Sequence, residues 1–266
     1  MNAKLDAAFT TAAQEQRAAL IGYFPAGYPT VDASIDIIAA MVRGGVDIVE
    51  IGLPYSDPLM DGPMIQRAVE TALEQGTRTA DVMRVVAATA ALGVPTLVMS
   101  YWNPIERYGL PRFAADLAAA GGVGVINADL TPEEASDWIA ATDAADVARV
   151  FLVAPSSTPE RLRIVADATS GFVYAASLMG VTGARTSVSD AAQVLVARTR
   201  AITSRPIAVG LGVSTPSQAA DIAVYADGVI VGSAFVKAVA EAPTHEAALA
   251  AVEQLARDLS AGVRRL

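Results

Sequence analysis

The chain has 266 residues, 53% hydrophobic and 18% charged, with a net charge of −9 and no cysteine. This is a globular composition with ample material for a core, and its acidity disfavours nucleic acid or an anionic membrane surface as a partner. The missing cysteines remove disulfides, thiolate nucleophiles and thiolate metal ligands, and without a signal-like start or an apolar stretch of roughly 18 residues a cytoplasmic protein is expected.

In the leading segment, Leu5, Ala8 and Phe9 recur at helical spacing and predict a helix. Eight short apolar runs follow: LIGYFPAG (20–27), VDIVEIGLP (46–54), TLVMSYW (96–102), GVGVINADL (122–130), RVFLVAP (149–155), GFVYAAS (171–177), PIAVGLGV (206–213) and DGVIVGSA (227–234). They are too short and continuous for amphipathic helices and read as strands buried on both faces, as in a parallel sheet. The intervals carry helix signals. Pro63 opens MIQRAVETALEQ and Gly76 closes it; Thr79 precedes ADVMRVVAATAAL and Gly93 follows. Thr131 with Glu134 suggests a capping box, and Thr158-Pro159 and Thr215-Pro216 repeat a cap-then-proline pattern.

About eight strand–helix units in this length predict a single-domain (β/α)8 TIM barrel over residues 1–266, an α/β fold. The extra N-terminal helix would close its bottom. An open doubly wound sheet is the alternative. A barrel directs attention to the C-terminal ends of strands and the loops beyond them. GVTGAR (180–185), GLGV (210–213) and VGSAFVKAV (231–239) follow the last three strands, and glycine lets backbone approach a ligand closely. A short helix starting near Ser233 would aim free N–H groups at an anion, so a phosphate site is expected there.

The stretch VEIGLPYSDPLMDGP (49–63) is the most unusual. Val49 and Ile51 share one strand face, so Glu50 takes the other and points into the barrel mouth. Apolar surroundings should raise its pKa and keep it partly protonated near neutrality, fit for general acid and then base work; a buried hydrogen bond or ion pair is the other explanation. Asp61 and Asp57 lie on the following loop and could be turn-formers. Asp129 could line the mouth or cap a helix. Tyr23, Tyr101 and Tyr174, near strand ends, are either core or the walls of a pocket for a flat aromatic ligand. The single histidine, His245, falls in the first turn of a late helix behind Thr244 and is not expected to be catalytic.

VEIGLPYSDPLMDGP closely resembles the signature of the tryptophan synthase α subunit family. LIGYFPAGYP (20–29), YAASLMGVTGAR (174–185), VGLGVSTP (209–216) and VIVGSAFVK (229–237) resemble its other segments in the same order, so the likeness covers nearly the whole chain. The resemblance implies a lyase performing retro-aldol cleavage of indole-3-glycerol phosphate to indole and glyceraldehyde 3-phosphate, with no cofactor or metal in this chain. By motif position, Glu50 matches the family's catalytic glutamate and Asp61 the acid that binds the indole N–H. Thr182 matches the loop threonine that meets Asp61 on closure, and Tyr174 a tyrosine near the reacting centre. Gly183, Gly212, Gly232 and Ser233 match phosphate-binding positions, while Tyr23, Met99, Tyr101 and Ile126 would line the indole pocket. The implied partner is a pyridoxal phosphate-bearing β subunit in an α2β2 heterotetramer, approached by mobile loops 54–62 and 178–190. Two departures stand out: Leu178 where many relatives carry a basic residue, and Leu53-Pro54-Tyr55 in place of a commoner Val-Pro-Phe. A stand-alone lyase releasing indole, another phosphate-sugar barrel and a non-catalytic regulatory subunit are the competing expectations.

Overall fold

Each apolar run becomes a strand because both its faces are covered, one by helices and one by the barrel interior. The computed structural model describes residues 2–176, 185–210 and 212–264. Its strands are β1 (Ala19–Pro25), β2 (Ile48–Gly52), β3 (Thr96–Ser100), β4 (Gly124–Asn127), β5 (Ala148–Val150), β6 (Leu152–Val153), β7 (Val173–Ala176), β8 (Ile207–Gly210) and β9 (Gly228–Val231). All pairs are parallel, in the order β5-β4-β3-β2-β1-β9-β8-β7-β6. The two ends of that order, β5 and β6, are consecutive pieces of one run separated by Phe151. The sheet therefore returns on itself as a nearly closed barrel. All eight expected runs are present, the fifth in two pieces, and the doubly wound alternative, which needs two separate edges, is set aside.

The helices are α1 (Ala3–Gln14), α2 (Val31–Arg43), α3 (Pro63–Glu74), α4 (Thr79–Ala90), α5 (Trp102–Tyr108), α6 (Leu110–Ala119), α7 (Ser136–Ala144), α8 (Pro159–Ala168), α9 (Arg185–Arg200), α10 (Pro216–Ala223), α11 (Ser233–Ala240) and α12 (His245–Gly262). Cap chemistry explains many of the starts. The hydroxyls of Thr30, Thr158, Thr215 and Thr244 each accept from the N–H three residues on, and prolines stand in the first turn of α3, α8 and α10. Two local expectations are corrected. Thr131 and Glu134 form no capping box: residues 132–134 make a 3₁₀ turn and α7 starts at Ser136, which lets Leu130 and Ala135 both bury their side chains. Thr79 is the first residue of α4 rather than its cap, and the Asp81 carboxylate accepts from the Arg78 N–H at 2.9 Å.

Strand alternation sorts the core into two clusters. Val49, Ile51, Val98, Val125, Val209 and Val229 face the helix layer. Ile21, Ile48, Leu97, Ile126, Val150 and Ala208 face the barrel interior. Helix α1 brings Leu5 and Phe9 into that interior cluster, with the Phe9 and Phe172 rings 5.6 Å apart, so the leading helix closes the bottom as expected. Two aspartates secure the same end. Asp47, just before β2, accepts from the Leu20 N–H at 2.8 Å and from both terminal nitrogens of Arg17 at 2.5 and 2.8 Å. Asp227, just before β9, accepts from the Ile207 N–H at 2.8 Å and pairs with Arg200.

Candidate active site

Midway along β2, on the mouth side of Asp47, the same alternation turns Glu50 inward. It lies beside Tyr23 and Leu97 in the strand register and is fully buried. Among the described residues neither of its carboxyl oxygens has a hydrogen-bond partner. Burial alone pushes its pKa from 4.5 to about 8, so at neutral pH it is mostly a neutral acid. Among the described residues, nothing satisfies it as a structural carboxylate.

Glu50 faces a cavity of about 380 Å³ at the barrel mouth. Its lining includes Tyr23, Met99, Tyr174, Gly210, Gly212, Gly232 and Ser233 from the strand ends, and Met60, Asp61, Gly62 and Ile65 from the loop after β2 and the start of α3. Glycines make the room. A methyl group on Gly210 would lie 2.4 Å from the Tyr174 hydroxyl, one on Gly52 would lie 2.3 Å from the Tyr23 hydroxyl, and one on Gly232 would press on the Tyr23 ring. Gly212 has φ +65°, a conformation that suits glycine. Burial drives the Tyr23 and Tyr174 phenols well above their usual range, with nearby carboxylates adding to the effect, so both stay protonated. At one rim, α11 starts at Ser233 behind Gly232; the Phe235 and Val236 N–H groups donate to the Gly232 carbonyl, and those of Ser233 and Ala234 precede the first such bond.

Asp61 reaches this mouth on the loop. Burial raises its carboxyl, and a hydrogen bond from the Tyr101 hydroxyl opposes that rise. The Tyr101 oxygen lies 3.2 Å from Asp61 Oδ1 and accepts from the Met60 N–H at 2.9 Å. The two carboxyls thus differ: Glu50 is sealed and unpartnered, Asp61 partly buried and partnered.

A model of the tryptophan synthase alpha chain family matches residues 9–264. The chain belongs to that family. It is 57% identical over 262 residues to the tryptophan synthase alpha chain of Mycobacteroides abscessus, covering 98% of each chain, and 58% identical to that of Thermobifida fusca, covering 94% of each. Its fold superposes on the tryptophan synthase of Mycobacterium tuberculosis with a TM-score of 0.92 at 52% identity, covering 99% of both chains. The tryptophan synthase subunit alpha of Legionella pneumophila, at 30% identity, gives 0.88 with 99% of this chain and 98% of that one covered.

For a member of this family, the arrangement brings together Glu50, Asp61, Tyr23, Met99, Tyr174, Gly212, Gly232 and Ser233. Thr182, Gly183 and Leu178 lie outside the described residues. Ile126 is fully buried in the interior cluster and is not among the residues that line the mouth cavity. Tyr101 stands beside the cavity with its hydroxyl committed to the loop. Asp129 caps a helix, though not the one after it: its Oδ1 accepts from the Trp102 N–H at 2.7 Å, at the start of α5. Asp57 is an exposed turn residue whose carboxylate accepts from the Ser56 hydroxyl at 2.6 Å. His245 sits in the first turn of α12 behind Thr244, with Nε2 3.2 Å from Asp36, outside the mouth. Sequence reasoning missed Met60 and Ile65 as lining residues. Their signal was an apolar pair spanning a Gly-Pro helix start, which resembles ordinary amphipathic patterning.

Proposed function

We propose that this chain, working as one domain over residues 1–266, cleaves indole-3-glycerol phosphate to indole and glyceraldehyde 3-phosphate, as the α half of a tryptophan synthase. The observation that carries this reading is the unpartnered, buried Glu50 carboxyl facing a cavity with a second carboxyl at its rim. Cleavage requires the indole to accept electrons, which it can do once C3 is protonated. Glu50, neutral near pH 7, supplies that proton. The Asp61 carboxylate accepts from the indole N–H and stabilises the cation so formed. The bond between C3 and the glycerol carbon then breaks, its electron pair returns to the ring, and the neighbouring hydroxyl becomes the aldehyde. The hydroxyl proton goes to the Glu50 carboxylate, so one proton is lent and one recovered. Two carboxyls held at different pKa values divide the acid and the charge-stabilising roles.

Tyr23 and Met99, with Met60 and Ile65, form the indole walls, and Tyr174 sits beside the reacting carbons. Ile126 supports those walls from below. Gly212, Gly232 and Ser233 take the phosphate at the start of α11, together with Gly183, while Thr182 meets Asp61 on closure. The chemistry asks for no cofactor in this chain; pyridoxal phosphate belongs to the proposed partner, a β subunit in an α2β2 assembly that consumes the indole. A cytoplasmic location accords with a chain in which no described helix is long and apolar enough to cross a membrane. Indole release from indole-3-glycerol phosphate, measured with and without a β subunit, tests the reading. Cleavage that Glu50→Gln lowers more than about a hundredfold is expected. A Glu50→Gln protein that cleaves at the normal rate would sink it.

A further inference from the structure

Asp61 has to be presented at the mouth by a loop, and loops are ordinarily the loosest part of a barrel. Here the loop is tied to the scaffold at three points. The Met60 N–H donates to the Tyr101 hydroxyl oxygen at 2.9 Å, and the Gln66 side-chain amide donates to the Asp61 carbonyl at 2.8 Å. At the loop's other end, the Asn103 amide donates to the Tyr55 hydroxyl at 3.0 Å. The Tyr55 and Tyr101 rings also meet, 5.5 Å between centroids. Tyr101 is itself well fixed. It is the residue before α5, the Ser100 hydroxyl donates to its carbonyl, and Asp129 holds the next N–H.

We propose that Tyr101, braced by Tyr55, is a positioning residue that holds the Asp61 loop at the barrel mouth and donates its hydroxyl to the Asp61 carboxylate. A phenol has one O–H to give. With the Met60 N–H on its oxygen, the Tyr101 hydroxyl has Asp61 Oδ1 as the acceptor for its proton. A donor fixed in that direction favours the charged carboxylate over the neutral acid. Burial raises the Tyr101 pKa to about 12, so the phenol remains a donor throughout the working range. The 3.2 Å contact is long for a hydroxyl bond, which leaves the carboxylate able to swing onto an indole N–H while the Met60 contact keeps the backbone in place. The proposal rests on the cleavage reading for its catalytic meaning, but the tether itself can be measured without activity.

The test compares wild type with Tyr101→Phe and Tyr55→Phe. Amide exchange at Met60 reads the tether; kcat, KM and the pH profile of indole formation read its consequence. Tyr101→Phe should accelerate Met60 exchange about tenfold or more and lower kcat about ten- to a hundredfold, with KM changed less than about threefold. The acid limb of kcat/KM should move to higher pH, because Asp61 loses the bond that favours its charge. Among the described residues, the titratable groups facing Asp61 are Tyr101, Tyr23 from β1, Glu50 from β2 and Tyr174 from β7. The substrate phosphate titrates too, but equally for every variant, so the difference between variants isolates Asp61. Tyr55→Phe should shift both readouts in the same direction by less, and it carries the test if Tyr101→Phe fails to fold. Unchanged Met60 exchange overturns the proposal. So does a lower rate with an unmoved acid limb, which would make Tyr101 a packing residue. Normal cleavage by Glu50→Gln and Asp61→Asn would instead overturn the retro-aldol reading and leave the exchange result to decide the tether.

Discussion

Two carboxyls lie three residues apart, Asp47 just before β2 and Glu50 within it towards the mouth, and they are treated in opposite ways. Asp47, at the bottom, accepts from a backbone N–H and from two nitrogens of Arg17. Glu50, three residues on, is more deeply buried and has no partner among the described residues. Asp227 repeats the bottom pattern one strand pair away, with Arg200 and the Ile207 N–H. Both aspartates at the scaffold end are thus paired, Asp47 with Arg17 and Asp227 with Arg200. The mouth leaves a carboxyl unsatisfied, which costs stability and yields a proton donor at neutral pH. Unpaired burial, rather than burial alone, distinguishes the proposed acid from the structural one.

The sharpest way to break this comparison is to titrate stability. Glu50 has a higher pKa folded than unfolded, so between pH 4.5 and about 8 the native state holds a proton that the unfolded chain has released. Native stability therefore falls as pH rises through that window, by roughly 4 kcal/mol from this group alone. Glu50→Gln should remove that component of the slope, visible as the difference between the two proteins' denaturant midpoints across pH 5–9. Parallel curves would mean that Glu50 is ionised normally.

Asp47→Ala should act in the converse sense. It strands Arg17 and a strand N–H, and should cost about 3 kcal/mol in urea unfolding, while indole formation per folded molecule stays within twofold or so. A matching loss of activity would show that the two ends are not independent. The smallest effect is expected at His245, whose contact with Asp36 is solvent-facing. His245→Ala should change stability by no more than about 0.5 kcal/mol and leave the pH profile of cleavage where it was. A displaced limb would bring the histidine into the chemistry.

Much of this could be read from local pattern. Period-two alternation sent Glu50 inward and its neighbours outward, and the eight apolar runs implied a parallel barrel. The spacing of Leu5 and Phe9 marked the closing helix, and Gly232-Ser233 marked the start of α11. These features depend on residues near one another in the chain, so composition and periodicity carry them. Asp57 and Asp129 were less legible. An aspartate in a loop carries the same local signature whether it turns the chain, caps a distant helix or meets a ligand.

What only the tertiary structure decided concerns partners far apart in sequence. Asp47 is paired because Arg17 arrives from beyond the end of α1, whereas no described side chain reaches the Glu50 oxygens. Gly210 and Gly232 stand beside Tyr174 and Tyr23, on neighbouring strands, so their missing side chains answer to ring volume as well as to any ligand. Tyr101 read as pocket wall or core, yet its hydroxyl meets a loop 40 residues earlier. Which residues alternate, cap and turn follows from the local order of amino acids, because those preferences act within a few residues. Which polar groups find a partner depends on long-range closure of the barrel, and that closure separates the carboxyls that hold the fold from Glu50, which has no partner among the described residues.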